Sequence, residues 1–253
     1  MPDRKQTPMV PVTAEDFARR KRRIAGICTA AALAAIAAGV WIYQRSTDPG
    51  AAQDSYDSGE RGLKASRYPQ AILSFSRAVE LKPDFTDAFL RRGRAHASLG
   101  ETEAAIGDFT RAIQLRPGDS QTYIDRAEEY LELKNFQAAR EDCDKAIERD
   151  GKIAAAFNLR GMALRGLGDA QKALESFSHA VELAPNIDNY FQRAATYQAL
   201  GQHEMAVADL DQVIALDRDD AQAYYARALS RRALGDEKGA RMDHEQGRIL
   251  DGR

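Results

Sequence analysis

The chain has 253 residues, 44% hydrophobic and 29% charged, with a formal net charge of −2. That balance suits a folded body with a sizeable core. It lacks the basic excess of a nucleic-acid-binding body, so no nucleic acid is expected as a partner. The charge is uneven. Residues 1–23 carry seven Lys/Arg against three Asp/Glu, a net of +4, and the rest carry 29 against 35, a net of −6. Alanine, the best helix former, is the commonest residue, so the chain is expected to be all-helical.

After the basic tail of residues 1–23, residues 24–43 read IAGICTAAALAAIAAGVWIY, without a charge. At ~1.5 Å per residue, a helix of this length spans about 30 Å, the thickness of a bilayer core. Trp41 and Tyr43 stand at one end, as in an interfacial aromatic belt. Arg19, Arg20, Lys21, Arg22 and Arg23 precede the run, and Arg45 is the basic residue that closely follows it. By the positive-inside rule the N-terminus is cytoplasmic and everything after Tyr43 is extracytoplasmic. The expectation is a single-pass anchor in a bacterial inner membrane, with the lipid bilayer as partner of residues 24–43 and the body in the periplasm. A cleaved signal peptide is the rival, with Ala35 and Ala37 open to a peptidase, but the run exceeds the ~7–15 residues of a signal core. Residues 44–51 read as a linker.

From residue 52 the sequence repeats. Ala71, Ala105, Ala139, Ala173, Ala206 and Ala240 are separated by 34, 34, 34, 33 and 34 residues, the mark of a repeat array. Each block reads as two helices and a turn. The fourth place holds Phe89, Tyr123, Phe157, Tyr190 or Tyr224, and the eighth holds Gly93, Ala127, Gly161, Ala194 or Ala228, small enough for a close helix crossing. Gly100, Gly168, Gly201 and Gly235 mark the turn. Ala105/Phe109/Ala112 and Ala173/Phe177/Ala180 mark the core of the second helix, and Pro83, Pro117 and Pro185 close their blocks.

These residues resemble a tetratricopeptide repeat (TPR) array of six units, 52–85, 86–119, 120–153, 154–186, 187–220 and 221–253. The resemblance implies an all-α, right-handed α-solenoid of stacked hairpins. Its inner groove, lined mainly by the first helix of each hairpin, would bind peptides or partner proteins. The first block departs from the pattern at Ser55 and Gly62 and the last at His244 and Gly247, as terminal repeats with one solvated side are expected to.

The stretch RGMALRGLGDAQKAL (160–174) sets Gly161, Gly166 and Gly168 near Lys172. A phosphate loop needs a preceding strand and a Gly-Lys-Ser/Thr ending, and neither is here, so these glycines are read as structural. His96, His179, His203 and His244 share no metal-ligand spacing, and His96 is expected in the core. Asp217 to Asp220 lack the glycine and glutamate of a calcium loop and read as a turn. Cys28 and Cys143 are not expected to pair. No catalytic residue, metal site, cofactor or small-molecule substrate is expected, and the protein is read as not an enzyme.

Two sets of residues are singled out. Arg92, Arg126, Arg193 and Arg227 at the seventh place are followed sixteen residues later by Asp108, Asp142, Asp209 and Asp243, which predicts structural Arg–Asp pairs within each block. Block four has Arg160 with Ser176, and block one has Ser58 with Ser74. The alternative is an anion-binding row of arginines. The partner-binding groove is assigned from the resemblance to Tyr56, Leu90, Ile124, Asn158, Phe191 and Tyr225 at the fifth place, with Arg94, Glu128 and Met162 one turn on. A clamp for acidic C-terminal tails, as in some TPR proteins, lacks its lysine and asparagine here. Thr102, on an interhelical turn, is expected to tolerate change. The function expected is a membrane-anchored protein–protein interaction scaffold of envelope assembly or secretion complexes. The alternatives are a cytosol-facing organelle receptor and a non-catalytic adaptor subunit of an enzyme complex.

Overall fold

The structure, a computed structural model, describes residues 49–252. The segments expected as basic tail (1–23) and membrane anchor (24–43) lie outside the described residues. Within residues 49–252 no helix is long and apolar enough to cross a membrane.

Twelve α-helices make six consecutive hairpins among the described residues: α1 (Pro49–Lys64) with α2 (Tyr68–Leu81), α3 (Thr86–Ser98) with α4 (Thr102–Leu115), α5 (Ser120–Glu132) with α6 (Phe136–Arg149), α7 (Ala154–Gly166) with α8 (Ala170–Leu183), α9 (Ile187–Ala199) with α10 (His203–Leu216), and α11 (Ala221–Ala233) with α12 (Glu237–Asp251). Each helix packs against its sequence neighbours, and each first helix also touches the first helix of the next hairpin, so the molecule is an α-solenoid. The first helix begins three residues before the expected block, inside the segment read as linker. Proline suits a helix start because its missing N–H costs nothing there.

The core is a ladder of matched sizes. The repeated alanines from Ala71 to Ala240 are fully buried. Phe75, Phe109 and Phe177 sit opposite Gly59, Gly93 and Gly161, and a Cβ on Gly161 would lie 2.6 Å from the Phe177 ring. Where the ring is replaced by the smaller Cys143 or Leu210, the facing residue is Ala127 or Ala194. The glycines are therefore the complement of phenylalanine rings, and size is conserved across the crossing. Gly166, peculiar to its block, receives the Phe136 ring, 2.5 Å from where its Cβ would be. Cys143 is plain core, its thiol pushed up to about 12 by burial and then by Asp142 and Asp144.

The turns share one conformation irrespective of residue type. Gly168 has φ +84°, and Ser66 and Lys134 take φ 54° and 55° at the corresponding turns of blocks one and three. Three of the five block-to-block junctions end in side-chain caps: Asp119, Asn186 and Asp220 accept hydrogen bonds from backbone N–H groups in the first turns of α5, α9 and α11, while Phe85 and Ile153 at the other two make none. Asp220 thus has a structural role within the Asp217–Asp220 turn. At the last block, Gly247 leaves room for the Tyr225 ring, which also meets His244 edge-on.

Candidate peptide-binding groove

The seventh-place arginines point into the hairpin stack. Arg126 donates from Nε and Nη2 to Asp142 at 2.7 and 2.8 Å, and from Nη1 to Thr110 of the preceding hairpin at 2.8 Å. Arg92 does the same with Asp108 (2.8 and 2.6 Å) and Ser76 (3.0 Å), and Arg227 with Asp243 (2.9 and 2.6 Å) and Asp211 (2.6 Å). Arg193 forks onto Asp209 at 2.8 and 2.7 Å. These bidentate bonds are the strong kind, and neighbouring aromatic rings such as Phe89 and Tyr224 flank the guanidinium groups. Burial alone would lower the Arg126 pKa; the bonds to Asp142 outweigh it and hold it above the usual range. The sequence spacing showed the sixteen-residue partner ahead of each arginine. For Arg92, Arg126 and Arg227 it missed the partner sixteen residues behind, which fastens one hairpin to the previous one; Arg193 has Phe177 at that place and bonds Asp209 alone. With their donors so engaged, these four arginines do not form an open anion-binding row. The exception is block four: Arg160 reaches Ser176 at 3.1 Å and Asp144 at 3.4 Å. In block one Ser74 donates to Ser58 at 3.4 Å.

The fifth-place column is not the continuous surface the family resemblance implies. Ile124 is 1% exposed and belongs to the core with Tyr123, Ala146 and Ala156, so it is removed from the groove. Its side chain fills the junction between hairpins, where burial gains more than exposure. Tyr56 is half-buried and stacks on Phe85, with ring centroids 5.0 Å apart. Phe191 packs partly on the Leu210/Val213 cluster, and Tyr225 donates to Asp251 at 2.8 Å. Leu90 is half-buried. His96, expected in the core, has a side chain only 16% exposed and meets Glu101 at 2.5 Å.

Successive first helices are tied by polar bridges. Arg91 of α3 pairs with Glu60 of α1 at 3.1 Å, and Arg94 of α3 with Asp125 of α5 at 2.6 Å. Asn158 of α7 donates to Asn189 of α9 at 2.6 Å, and Arg165 to Gln192 at 2.7 Å. Gln198 of α9 donates to Ser230 of α11 at 2.8 Å. Between α5 and α7 no such bridge occurs among the described residues. Two adjoining hollows open there, about 430 and 390 Å³, both bordered by Glu128, Leu159 and Met162. Thr102, Glu129 and Glu132 line the first, and Asn158, Asp188 and Gln192 line the second. Of the nine assigned groove residues, the structure brings Asn158, Glu128 and Met162 together here. The acidic run Glu128-Glu129-Tyr130-Leu131-Glu132 is the sequence signal that marks the rest of the lining. Thr102, the first residue of α4, lines the first hollow together with Glu129.

The electrostatics are unbalanced. Burial pushes the Glu128 carboxyl above the usual range, Asp125 and Glu129 push it further, and Arg94 opposes them. Glu129 is likewise raised, by burial first, against the Thr102 hydrogen bond that lowers it, with Glu132 and Asp125 adding to the rise. The hollows carry amides, carboxylates and an apolar floor. Among the described residues no group of three or more His, Cys, Asp or Glu is placed to hold a metal ion.

Family models described as tetratricopeptide repeat match residues 56–120, 124–186 and 187–220. The chain belongs to the tetratricopeptide repeat family. It is similar to a heat-shock protein cognate co-chaperone, sgt12 of Aspergillus fumigatus, at 32% identity over 93 residues, 36% of this chain and 27% of that one. The match thus spans about a quarter of that co-chaperone's length. Among solved structures, MamA (residues 41 to the end) from Desulfovibrio magneticus RS-1 superimposes with TM-score 0.64 at 21% identity, covering 68% of this chain and 97% of that one. YrrB, described as a TPR protein with an unusual peptide-binding site, gives 0.60 at 20% identity over 70% and 91%. These structural likenesses establish the shared TPR solenoid.

Proposed function

We propose that this TPR protein is a membrane-anchored, non-catalytic scaffold that holds a peptide segment of a partner protein between α5, α7 and α9. The observation that carries the reading is the pair of adjoining hollows on the first-helix face, where the polar ties between repeats give way. A groove of that size with an apolar floor and a few directed polar groups fits an extended segment. The co-chaperone and peptide-binding relatives support a protein or peptide ligand. The apolar run 24–43 and its basic flank support the anchor and, by the positive-inside rule, a TPR body outside the cytoplasm; service in envelope assembly or secretion is part of the same proposal.

Two measurements test this. A photo-crosslinker at Met162 should capture a partner segment in living cells, while one at Glu175, on an exposed part of α8, should not; equal capture at both defeats the groove reading. Protease added to intact spheroplasts should digest the TPR body and spare a short anchored fragment. Protection of the body until lysis would favour a cytosol-facing receptor.

A further inference from the structure

We infer that the groove between α5 and α7 receives a lysine or arginine side chain from an otherwise apolar segment of a separate protein. This inference rests on the scaffold reading above and gives the partner its chemistry.

Three observations converge. First, the ties between neighbouring first helices elsewhere in the solenoid use their charges internally, as in Arg91–Glu60 and Arg94–Asp125. Glu128 and Glu132 make no hydrogen bond or ion pair among the described residues, yet they border the same hollow. Second, the facing wall of α7 supplies Leu159 and Met162, which are apolar. A lysine or arginine has the matching two-part character, an aliphatic stem for such a wall and a cationic head for the carboxylates. Methionine also adapts its shape to differing stems. Third, the charges facing Glu128 from every side leave a negative remainder. Arg94 of α3 is shared with Asp125, α5 adds Glu129 and Glu132, α9 brings Asp188 to the second hollow, and Cys143 behind on α6 stays a neutral thiol. An incoming cation removes this repulsion, while an acidic segment would add to it, so the site selects by sign. Both carboxyls with raised pKa values, Glu128 and Glu129, are those a bound cation would bring back toward the ordinary range.

Panning a random dodecapeptide library on the full-length protein tests the inference. Recovered peptides should share a Lys or Arg beside apolar residues. A fluorescent copy of a recovered peptide should bind Glu128→Gln/Glu132→Gln at least tenfold more weakly. Thr102→Lys, which places the protein's own ammonium group beside Glu129, should weaken it comparably, and Glu175→Gln should leave it unchanged. Circular dichroism confirms that each variant is folded. Recovered peptides that are neutral or acidic, yet lose affinity when Leu159 and Met162 become Ser, overturn the inference and leave the scaffold reading standing. Basic peptides that bind the glutamate variant as well as the parent also overturn it. Recovery of no peptide defeats both readings. Peptides recovered only after Arg19 to Arg23 are neutralised would put the chain's own basic segment in the groove, overturning a separate partner.

Discussion

Arg126 and Glu128 lie two residues apart on α5 and meet opposite fates. At about 100° per residue, two residues are roughly 200° around the helix, so they face different neighbours. Arg126 turns toward α4 and α6 and is held by Thr110 and Asp142. Glu128 turns toward α7 and finds Leu159 and Met162 bordering the same hollow. One charge is built into the stack and the other is left for something outside it. Whether a charge on a TPR helix is structural or available is thus decided by which neighbouring helix it faces.

The sharpest way to break that contrast is Arg126→Ala. It strands Asp142, whose side chain is 3% exposed, without its cation. Removing one member of such a buried pair costs about 3–5 kcal/mol, to be read by urea denaturation. Asp142→Ala added to it should recover part of the loss. The same change at Arg160 removes a 3.1 Å hydrogen bond to the neutral Ser176 and a long 3.4 Å contact to Asp144, whose side chain is 50% exposed and stays solvated, and should cost only about 1 kcal/mol. Equal costs at the two positions would dissolve the distinction between full and partial staples.

Glu128→Gln should have the smallest effect on stability, and with opposite sign. Because the folded-state pKa of Glu128 is raised, its charged form opposes folding. The penalty is absent below the unfolded pKa and grows as pH rises through the folded one. The variant should therefore melt slightly above the parent at pH 7, and the two curves should merge near pH 4. A variant that melts lower at pH 7 would show that Glu128 has a stabilising partner. Capture of a basic peptide should follow the converse trend, weakening as pH falls through the raised range and as Glu128 loses its charge. It should also weaken with salt, because exposed charges are screened within about 10 Å at 0.1 M.

Much of this was legible beforehand because a repeat presents the same neighbourhood every 34 residues. Register, hairpins, small crossing residues and the forward Arg–Asp pairs all live within one block, so spacing alone exposes them. The Gly–Phe complement of Gly161 and Phe177 is of this kind too, since both residues belong to one hairpin. The left-handed turn at Lys134 was less visible, because there the fold imposes a conformation that the residue type does not advertise.

The groove belongs to the other category. The family pattern offers a column of first-helix residues, but it treats every block as equivalent. Ile124 and Glu128 both stand in columns expected to face a partner, and packing buried the one and left the other at an open hollow. That outcome depends on contacts among α5, α7 and α9, which are neighbours in space with whole helices between them in sequence. Alanine and hydrophobic periodicity by themselves determined the solenoid, because local helix formation and burial repeat with the chain. Only the tertiary structure decided where its polar ties lapse, because that depends on which particular side chains successive hairpins bring face to face.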